Sequence, residues 1–298
     1  MTKTKKQRTK LKKDWSPLTI IMLVVLGIYV GVLLFLLLWA FMTTFKSHTE
    51  FRLNKLWLPK DPVWNYSFVY QNFTVTIQTA EGNAYVGVPQ QILNSALYAL
   101  GCAFTNTLVP CLTAYMCAKY RYKFSKVLYA TVLITMIVPM VGSLPAEMKM
   151  ARNLHLYDNV WGLWIMKANF LGTYFLIFYY KFKAMPDTFS EAAKIDGAGH
   201  FGILIRIILP LSINTFFTVF LINFITFWND YQIPYMYLPS HPTLAQGMYH
   251  MAGTKENGLS RVPMRLTGAM LQSLPMILIF CIFQDRLMGN LTVGGIKG

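Results

Sequence analysis

The feature that most constrains the fold is a series of long apolar runs with almost no charged residues. Six runs of 18 to 25 residues fit this description: Leu18–Met42, Leu93–Cys117, Val127–Leu144, Val160–Tyr180, Leu211–Trp228 and Leu266–Phe283. A helix needs about 20 apolar residues to cross the hydrocarbon core of a bilayer. The sequence therefore predicts an all-α integral membrane protein with six transmembrane helices.

The composition supports this fold class. Of the 298 residues, 55% are hydrophobic and 13% are charged, whereas soluble domains average about 25% charged residues. The four cysteines lie in apolar runs, which favours small buried residues over disulfides. The net charge of +15 does not indicate a nucleic-acid partner, because the basic residues cluster beside the apolar runs.

The distribution of Lys and Arg predicts the orientation. If the N-terminus is inside, 17 basic residues fall in the 71 inside positions, namely 1–17, 118–126, 181–210 and 284–298. Nine fall in the 102 outside positions, namely 43–92, 145–159 and 229–265. Basic residues are enriched in cytoplasmic segments, so both termini are expected to be cytoplasmic.

These boundaries predict five parts. They are a basic cytoplasmic N-terminus (1–17), a first transmembrane helix (18–42), an ordered extracytoplasmic cap (43–92), a five-helix core (93–283) and a cytoplasmic tail (284–298). The core includes a cytoplasmic loop at 186–210 that carries the most specific motif of the chain.

The chemistry available inside the runs excludes several function classes. The runs contain no Asp, Glu or His, and their one charged residue is Lys167. Proton-coupled carriers usually need a titratable carboxylate or imidazole within the membrane. We interpret Asp158, Asp230 and Asp285 as solvated loop charges, and no catalytic set or metal-ligand spacing is present. No GxxxxGK[ST] loop occurs, so this chain is expected to hold no cofactor and to depend on another subunit for energy.

Local signals predict a short, separately capped helix in the 186–210 loop. Thr188 and Glu191 have capping-box spacing, and Gly197 suits a left-handed helix end. A second amphipathic stretch, Phe201–Ile208, is expected to stop at Pro210. The segment is either an ordinary surface loop or a docking element for a cytosolic partner.

A resemblance distinguishes these alternatives. The segments Glu191-Ala192-Ala193, Asp196-Gly197-Ala198 and Ile208-Leu209-Pro210 resemble the EAA motif of permease subunits in bacterial ABC importers. Further residues resemble the carbohydrate-uptake branch, the maltose-type G-subunit family: Asn94-Ser95, Val138-Pro139, Trp228-Asn229-Asp230, Gly294-Gly295 and Lys297-Gly298. The resemblance covers roughly residues 90–298.

The resemblance implies a type I ABC importer permease fold in a bacterial inner membrane. It implies that a cytosolic ATPase dimer, which binds ATP and Mg, docks on Glu191, Ala192, Ala193, Asp196, Gly197 and Pro210. The other implied partners are a second homologous permease, an extracytoplasmic sugar-binding protein and membrane lipid. The alternatives are a self-sufficient channel or secondary carrier for a polar solute, and a membrane-bound glycan enzyme.

Polar residues within the runs are candidates for a substrate path. They are Asn94, Ser95, Asn106, Lys167, Asn169, Asn214, Asn223 and Gln272. The simpler interpretation of the amides is hydrogen bonding between helices. Lys167 either extends toward the outer interface or bonds carbonyls in a wet cavity, or it faces the path and favours a glycan with a carboxylate or sulfate.

One outside loop has a polar tip. It comprises Ala252, Gly253, Thr254, Lys255, Glu256 and Asn257. In permeases that it resembles, the corresponding loop reaches into the sugar site of the receptor. The alternative is a disordered hairpin. The sequence does not indicate which sugar is carried.

Overall fold

The structure is a computed structural model that describes residues 16–79, 81–120, 122–138, 142–253 and 258–291, with side chains as far as Gln284. The helices are α1 (Pro17–Thr43), α2 (His48–Leu53), α3 (Asn65–Asn72), α4 (Val88–Lys119), α5 (Lys123–Ile137), α6 (Leu144–Asn153), α7 (Val160–Met166), α8 (Thr173–Lys183), α9 (Thr188–Ile195), α10 (His200–Ile203), α11 (Leu209–Asn229), α12 (Gln232–Tyr237), α13 (Leu244–Gly253) and α14 (Val262–Leu291). A π-helical turn, Leu204–Ile208, joins α10 to α11. Strands β1 (Thr74–Thr79) and β2 (Gly82–Gly87) form an antiparallel hairpin.

Four described helices are long and apolar enough to cross a membrane. They are Pro17–Thr43, Val88–Lys119, the continuous helix His200–Asn229, and Val262–Gln284. They contain the first, second, fifth and sixth predicted runs, which confirms the prediction of an all-α membrane protein. The count of six spans and the cytoplasmic location of both termini remain predictions. Below, the outer and inner sides are the predicted extracytoplasmic and cytoplasmic sides.

The third run is divided. Helix α5 ends at Ile137, and Leu144 begins the separate helix α6. The next residue after α5, Val138, has an extended backbone with φ −82° and ψ 113°. It precedes a proline, whose ring disfavours the helical conformation in the residue before it.

The fourth run is also broken, so the expectation of one continuous helix from Val160 to Tyr180 is wrong. Helix α7 ends at Met166 and α8 begins at Thr173. Between them, the Asn169 side-chain oxygen accepts a hydrogen bond from the Leu171 backbone N–H at 2.8 Å. Gly172 has φ +119°, a conformation that favours glycine. Local turn chemistry therefore overrides the apolar pattern here.

Helix α4 is the centre of the described core, because α7, α8 and α11 all pack on it. At its inner half, a buried cluster joins residues of α4, α8 and the π-helical turn, including Cys111, Tyr115, Phe178, Phe182 and Ile208. At its outer half, a second cluster includes Tyr98, Cys102, Leu163, Phe227 and Trp228. The buried apolar stripe of α4 therefore runs along most of its length.

The segment between α1 and α4 is ordered by its own polar contacts. The fully buried Lys46 donates from Nζ to the Asn54 carbonyl oxygen at 2.9 Å. The Asn65 amide donates to the carbonyl oxygens of Thr44 and Lys46, both at 2.8 Å. An ordered segment was predicted, but its β-hairpin was not, and its extracytoplasmic location remains a prediction.

Gly101 provides a test of the packing on α4. A Cβ atom there would lie 1.8 Å from Cε2 of Trp164, so the indole would have to move. We expect Gly101→Ala to cost about 1–3 kcal/mol through overpacking and to lower the melting temperature of the purified protein. The matched control is Gly27→Ala, because nothing lies within 4 Å of a Cβ at Gly27. A stability of Gly101→Ala equal to that of the control would contradict this packing.

Candidate functional site

The predicted docking helix is present as α9, but its N-terminal cap differs from the prediction. Thr188 is the first helical residue, and the N-cap residue is Asp187, which makes no side-chain capping bond. The capping box of Thr188 and Glu191 is therefore wrong. Instead, the Asp187 backbone carbonyl accepts from the N–H groups of Ser190 and Glu191, at 2.9 and 3.0 Å.

The C-terminal cap of α9 confirms the prediction for Gly197. Gly197 has φ +79°, and its N–H donates to the Lys194 carbonyl at 3.1 Å. The Ala198 N–H donates to the Ala193 carbonyl at 2.9 Å. This pair of bonds is the Schellman motif, which satisfies carbonyls that a helix end leaves unpaired. The end of α9 is therefore fixed by backbone geometry.

The motif residues of α9 divide between a buried and an exposed face. Ala193 is buried in the inner cluster, and Ala198 packs against the same cluster. Glu191, Ala192, Asp196 and Gly197 are exposed. Helix α9 therefore packs on the inner cluster through alanine, and its acidic residues are exposed on the inner side.

Pro210 does not end the following helix, contrary to the prediction. The chain stays helical from His200 to Asn229, and Pro210 is the second residue of α11. In the preceding π-helical turn, the Leu209 N–H bonds the Leu204 carbonyl, five residues back. This wider turn accommodates the proline ring and its missing N–H. The docking segment is therefore continuous with a long apolar helix.

A second connection ties α9 to α4. At the inner end of α4, the Lys119 Nζ contacts Asp187 Oδ1 at 2.7 Å and the Met185 carbonyl oxygen at 2.6 Å. The next residue, Tyr120, hydrogen-bonds through its hydroxyl to His200 Nδ1 at 2.9 Å. The residues on either side of α9, Asp187 and His200, are therefore both bonded to the end of α4.

Three of the candidate path amides bond other parts of the protein. The Asn94 amide donates to the Pro242 carbonyl at 3.0 Å. The Asn106 amide donates to Asn223 Oδ1 at 2.9 Å, and the Asn223 amide donates to Thr107 Oγ1 at 3.0 Å. These bonds join α4 to the 238–243 loop and to α11, which is the simpler role considered for such residues.

Two further candidates, Lys167 and Asn169, lie at the break between α7 and α8. Lys167 is the half-buried C-cap of α7, so it does not lie inside a continuous helix. Asn169 is exposed and shapes the break through its bond to Leu171.

The candidate receptor loop is described in part. Ala252 and Gly253 are exposed at the end of α13, whereas Thr254, Lys255, Glu256 and Asn257 lie outside the described residues. On α13, the His250 ring packs against Tyr235 and Tyr249. Burial lowers the pKa of His250, which favours its neutral form near pH 7.

Two carboxylates interpreted as solvated loop charges are structural acceptors. Asp230 accepts from the Tyr98 hydroxyl at 2.9 Å and from the backbone of Gln232 and Ile233. Asp158 accepts from the Ser240 N–H at 3.0 Å. The side chain of Asp285 lies outside the described side chains. In the described part of the chain, no group of three or more His, Cys, Asp or Glu residues is placed to hold a metal ion.

The structure thus combines long apolar helices, a broken helix beside the central α4, and a capped helix bonded to the inner end of α4. The chain belongs to the family described as "binding-protein-dependent transport system inner membrane component", whose model matches residues 111–292, more than half of the chain. It is therefore an inner-membrane permease of an ABC transport system, and the family is one of transporter components, not of enzymes.

Individual relatives agree with this family. The chain is 27% identical to the arabinooligosaccharides transport system permease protein AraQ of Bacillus subtilis over 238 residues, 78% of each chain. It is 24% identical to the diacetylchitobiose uptake system permease protein NgcG of Streptomyces coelicolor over 261 residues, 87% of this chain and 82% of the relative.

A solved structure shares the fold. It is a chain in the crystal structure of a bacterial ABC transporter involved in the import of the acidic polysaccharide alginate. The match has a TM-score of 0.73 and 22% identity, and it covers 90% of this chain and 95% of the other.

The Lys119–Asp187 ion pair predicts an asymmetric response to substitution. The Lys119 side chain is 7% exposed, whereas that of Asp187 is 61% exposed. Asp187→Ala leaves a buried ammonium without its carboxylate, which costs about 1–3 kcal/mol. Lys119→Met keeps an apolar stem, and the Asp187 carboxylate is already 61% exposed to solvent, so the cost is below about 1 kcal/mol. Thermal unfolding of both purified variants checks this order, and the reverse order would contradict it.

Proposed function

We propose that this chain is a permease subunit of an ATP-driven importer for a sugar or oligosaccharide. It forms half of the translocation path together with a second, homologous permease. A cytosolic ATPase dimer binds ATP and Mg, so this chain itself carries no cofactor. An extracytoplasmic binding protein delivers the sugar, and lipid surrounds the assembly. The carbohydrate substrates named for AraQ and NgcG support this substrate class.

The observation that carries the proposal is the construction of α9. Its exposed residues, Glu191, Ala192 and Asp196, are available to an ATPase on the inner side. A partner that moves α9 also moves α4 through Lys119 and Asp187, and it moves α11 through the continuous helix beyond Gly197. Helices α4 and α11, which pack most extensively on each other, are therefore both connected to α9.

The break between α7 and α8 supports a path that passes this point. At membrane depth, non-helical backbone is tolerated where it is buried in protein or lines a water-filled cavity. The break contains exposed Asn169 and half-buried Lys167. Lys167 and Asn169 are therefore the path candidates that we retain, whereas Asn94, Asn106 and Asn223 hold helices and loops together.

The exposed Ala252 and Gly253 at the end of α13, with the following residues Thr254, Lys255, Glu256 and Asn257, contact the binding protein in this proposal. Ala252 and Gly253 follow Tyr249 of α13, whose ring packs against Tyr235 of α12, and an aromatic surface of this kind suits a receptor contact.

A ligand screen followed by reconstitution tests the function. The binding protein of the same transport system is screened against arabinotriose, maltotriose, raffinose, diacetylchitobiose and an alginate trisaccharide. The chain is then reconstituted with its partner permease, the ATPase and the binding protein. We expect ATP-dependent uptake of the bound sugar. Uptake by this chain alone, without the ATPase, would instead establish a self-sufficient carrier.

Gly197→Asp tests the docking role. The substitution places a side chain at φ +79° and costs about 1–2 kcal/mol of backbone strain. It also adds a charge to the exposed face of α9. We expect weaker ATPase association and loss of receptor-stimulated ATP hydrolysis. The control is Gly199→Asp, where φ is −69° at a helix N-cap that tolerates aspartate. Normal association and hydrolysis in Gly197→Asp would refute the docking assignment.

Lys167→Met tests whether the path favours an anionic glycan. The variant keeps an unbranched side chain, one heavy atom shorter, and removes its charge. If Lys167 pairs with a substrate carboxylate, uptake of the alginate trisaccharide falls about tenfold or more, and uptake of neutral trisaccharides is unchanged. The control, Lys149→Met, removes a charge from an exposed residue of α6. Wild-type uptake of the acidic sugar in Lys167→Met would assign Lys167 a structural role.

A further inference from the structure

A groove of about 490 Å³ opens on the outer side, between the outer end of α4 and the segment that joins α6 to α7. One wall is aromatic and contains Tyr157, Trp161 and Trp164. The other lining residues include the polar side chains of Gln90, Asp158 and His241. Its size is within the usual range for small-molecule sites, about 300–1,000 Å³.

The aromatic wall is mounted rigidly. The Trp164 indole fills a notch over Gly101, and its Nε1 donates to the Leu97 carbonyl oxygen at 3.1 Å. Trp161 stands against Trp164 with ring centroids 4.3 Å apart. Within α7, a Cβ atom at Gly162 would lie 2.2 Å from the carbonyl oxygen of Leu156 in the preceding loop. Two glycines therefore allow close approaches that fix the tryptophans and the preceding loop.

The loop that forms the polar lining has an uncommon backbone. His155 and Asp158 both have φ +55°, and in the described part of the chain they are the non-glycine residues with positive φ. Such conformations persist where surrounding contacts enforce them, and they concentrate at functional sites. Here Asp158 donates from its N–H to the Tyr237 carbonyl at 2.8 Å and accepts from the Ser240 N–H at 3.0 Å.

The groove offers the contacts that a sugar ring needs. Trp161 is 66% exposed, so one face of its ring is open to stack on the apolar C–H face of a sugar. His241 also lines the groove, and its Nδ1 lies 3.6 Å from the Asp158 carboxylate oxygen. Among the described residues that line the groove there is one carboxylate and no Lys or Arg. These features favour a neutral ring with hydroxyl groups over an anion.

We propose that this groove is a sugar-ring subsite on the outer side of the permease. One uncharged ring of the oligosaccharide stacks on Trp161, and its hydroxyl groups bond the polar lining that includes His241 and Asp158. The ring is held there after the binding protein releases the sugar and before the sugar crosses the membrane through the permease. The inference rests on the proposed function and adds to it a defined contact for the substrate.

The experiment compares three variants in the complete reconstituted transporter. Trp161→Ala removes the stacking surface, and Trp161→Phe keeps an aromatic face at the same position. Trp57→Ala is the matched control, because Trp57 is 80% exposed on the same predicted side and does not line the groove. For each variant, uptake of arabinotriose, maltotriose, raffinose, diacetylchitobiose and the alginate trisaccharide is measured together with receptor-stimulated ATP hydrolysis.

We expect Trp161→Ala to lower the sugar imported per ATP hydrolysed by about threefold to tenfold, the equivalent of one lost aromatic contact. Stimulated ATP hydrolysis should stay within twofold of wild type, because the binding protein still opens while the released sugar escapes. Trp161→Phe should restore most of the ratio, and Trp57→Ala should not change it.

Three outcomes would overturn the subsite. An unchanged ratio in Trp161→Ala would show that the sugar makes no useful contact there. A lower amount of the subunit in the membrane with an unchanged ratio would make Trp161 an interfacial anchor. A loss confined to the alginate trisaccharide would exclude a neutral ring. The failure of wild-type uptake and stimulation would instead overturn the proposed function.

Discussion

The contact between α4 and α11 is the constraint on which the rest of the structure depends. Inside an apolar helix pair, each polar side chain needs a partner, because no water is available to replace one. Asn106, Asn223 and Thr107 satisfy one another across this contact. Their chain of two hydrogen bonds fixes the register of the helices, and the aromatic clusters at both halves of α4 extend from that register.

Helix α4 consequently connects the two faces of the protein. Its inner end is bonded to the docking segment through Lys119, and its outer half supports Trp164 over Gly101. Tyr98 adds a bond from the same outer half to Asp230 at the end of α11. A continuous set of packed and hydrogen-bonded residues thus connects α9 to the outer side, so a displacement of α9 is transmitted there.

How much of the structure the sequence could predict depends on how far apart along the chain the interacting residues lie. The end of α9 at Gly197 was predictable because a C-terminal cap acts within a few residues, whereas the capping box of Thr188 and Glu191 was wrong. The break after Met166 was not predictable, because Asn169 and Gly172 are compatible with both a helix and a turn. The partners of Asp158 and Asp230 were hidden for another reason. Ser240 is 82 residues from Asp158, and Tyr98 is 132 residues from Asp230, so only the fold brings them together.

Helix α1 has a consequence for how the protein is made. Its most apolar window is 0% buried in the described structure, so the formation of this helix does not depend on packing against the core. Ser16 caps its first turn and Pro17 begins it, both from within the same segment. A helix that is complete before the later helices are synthesised can enter the bilayer ahead of them.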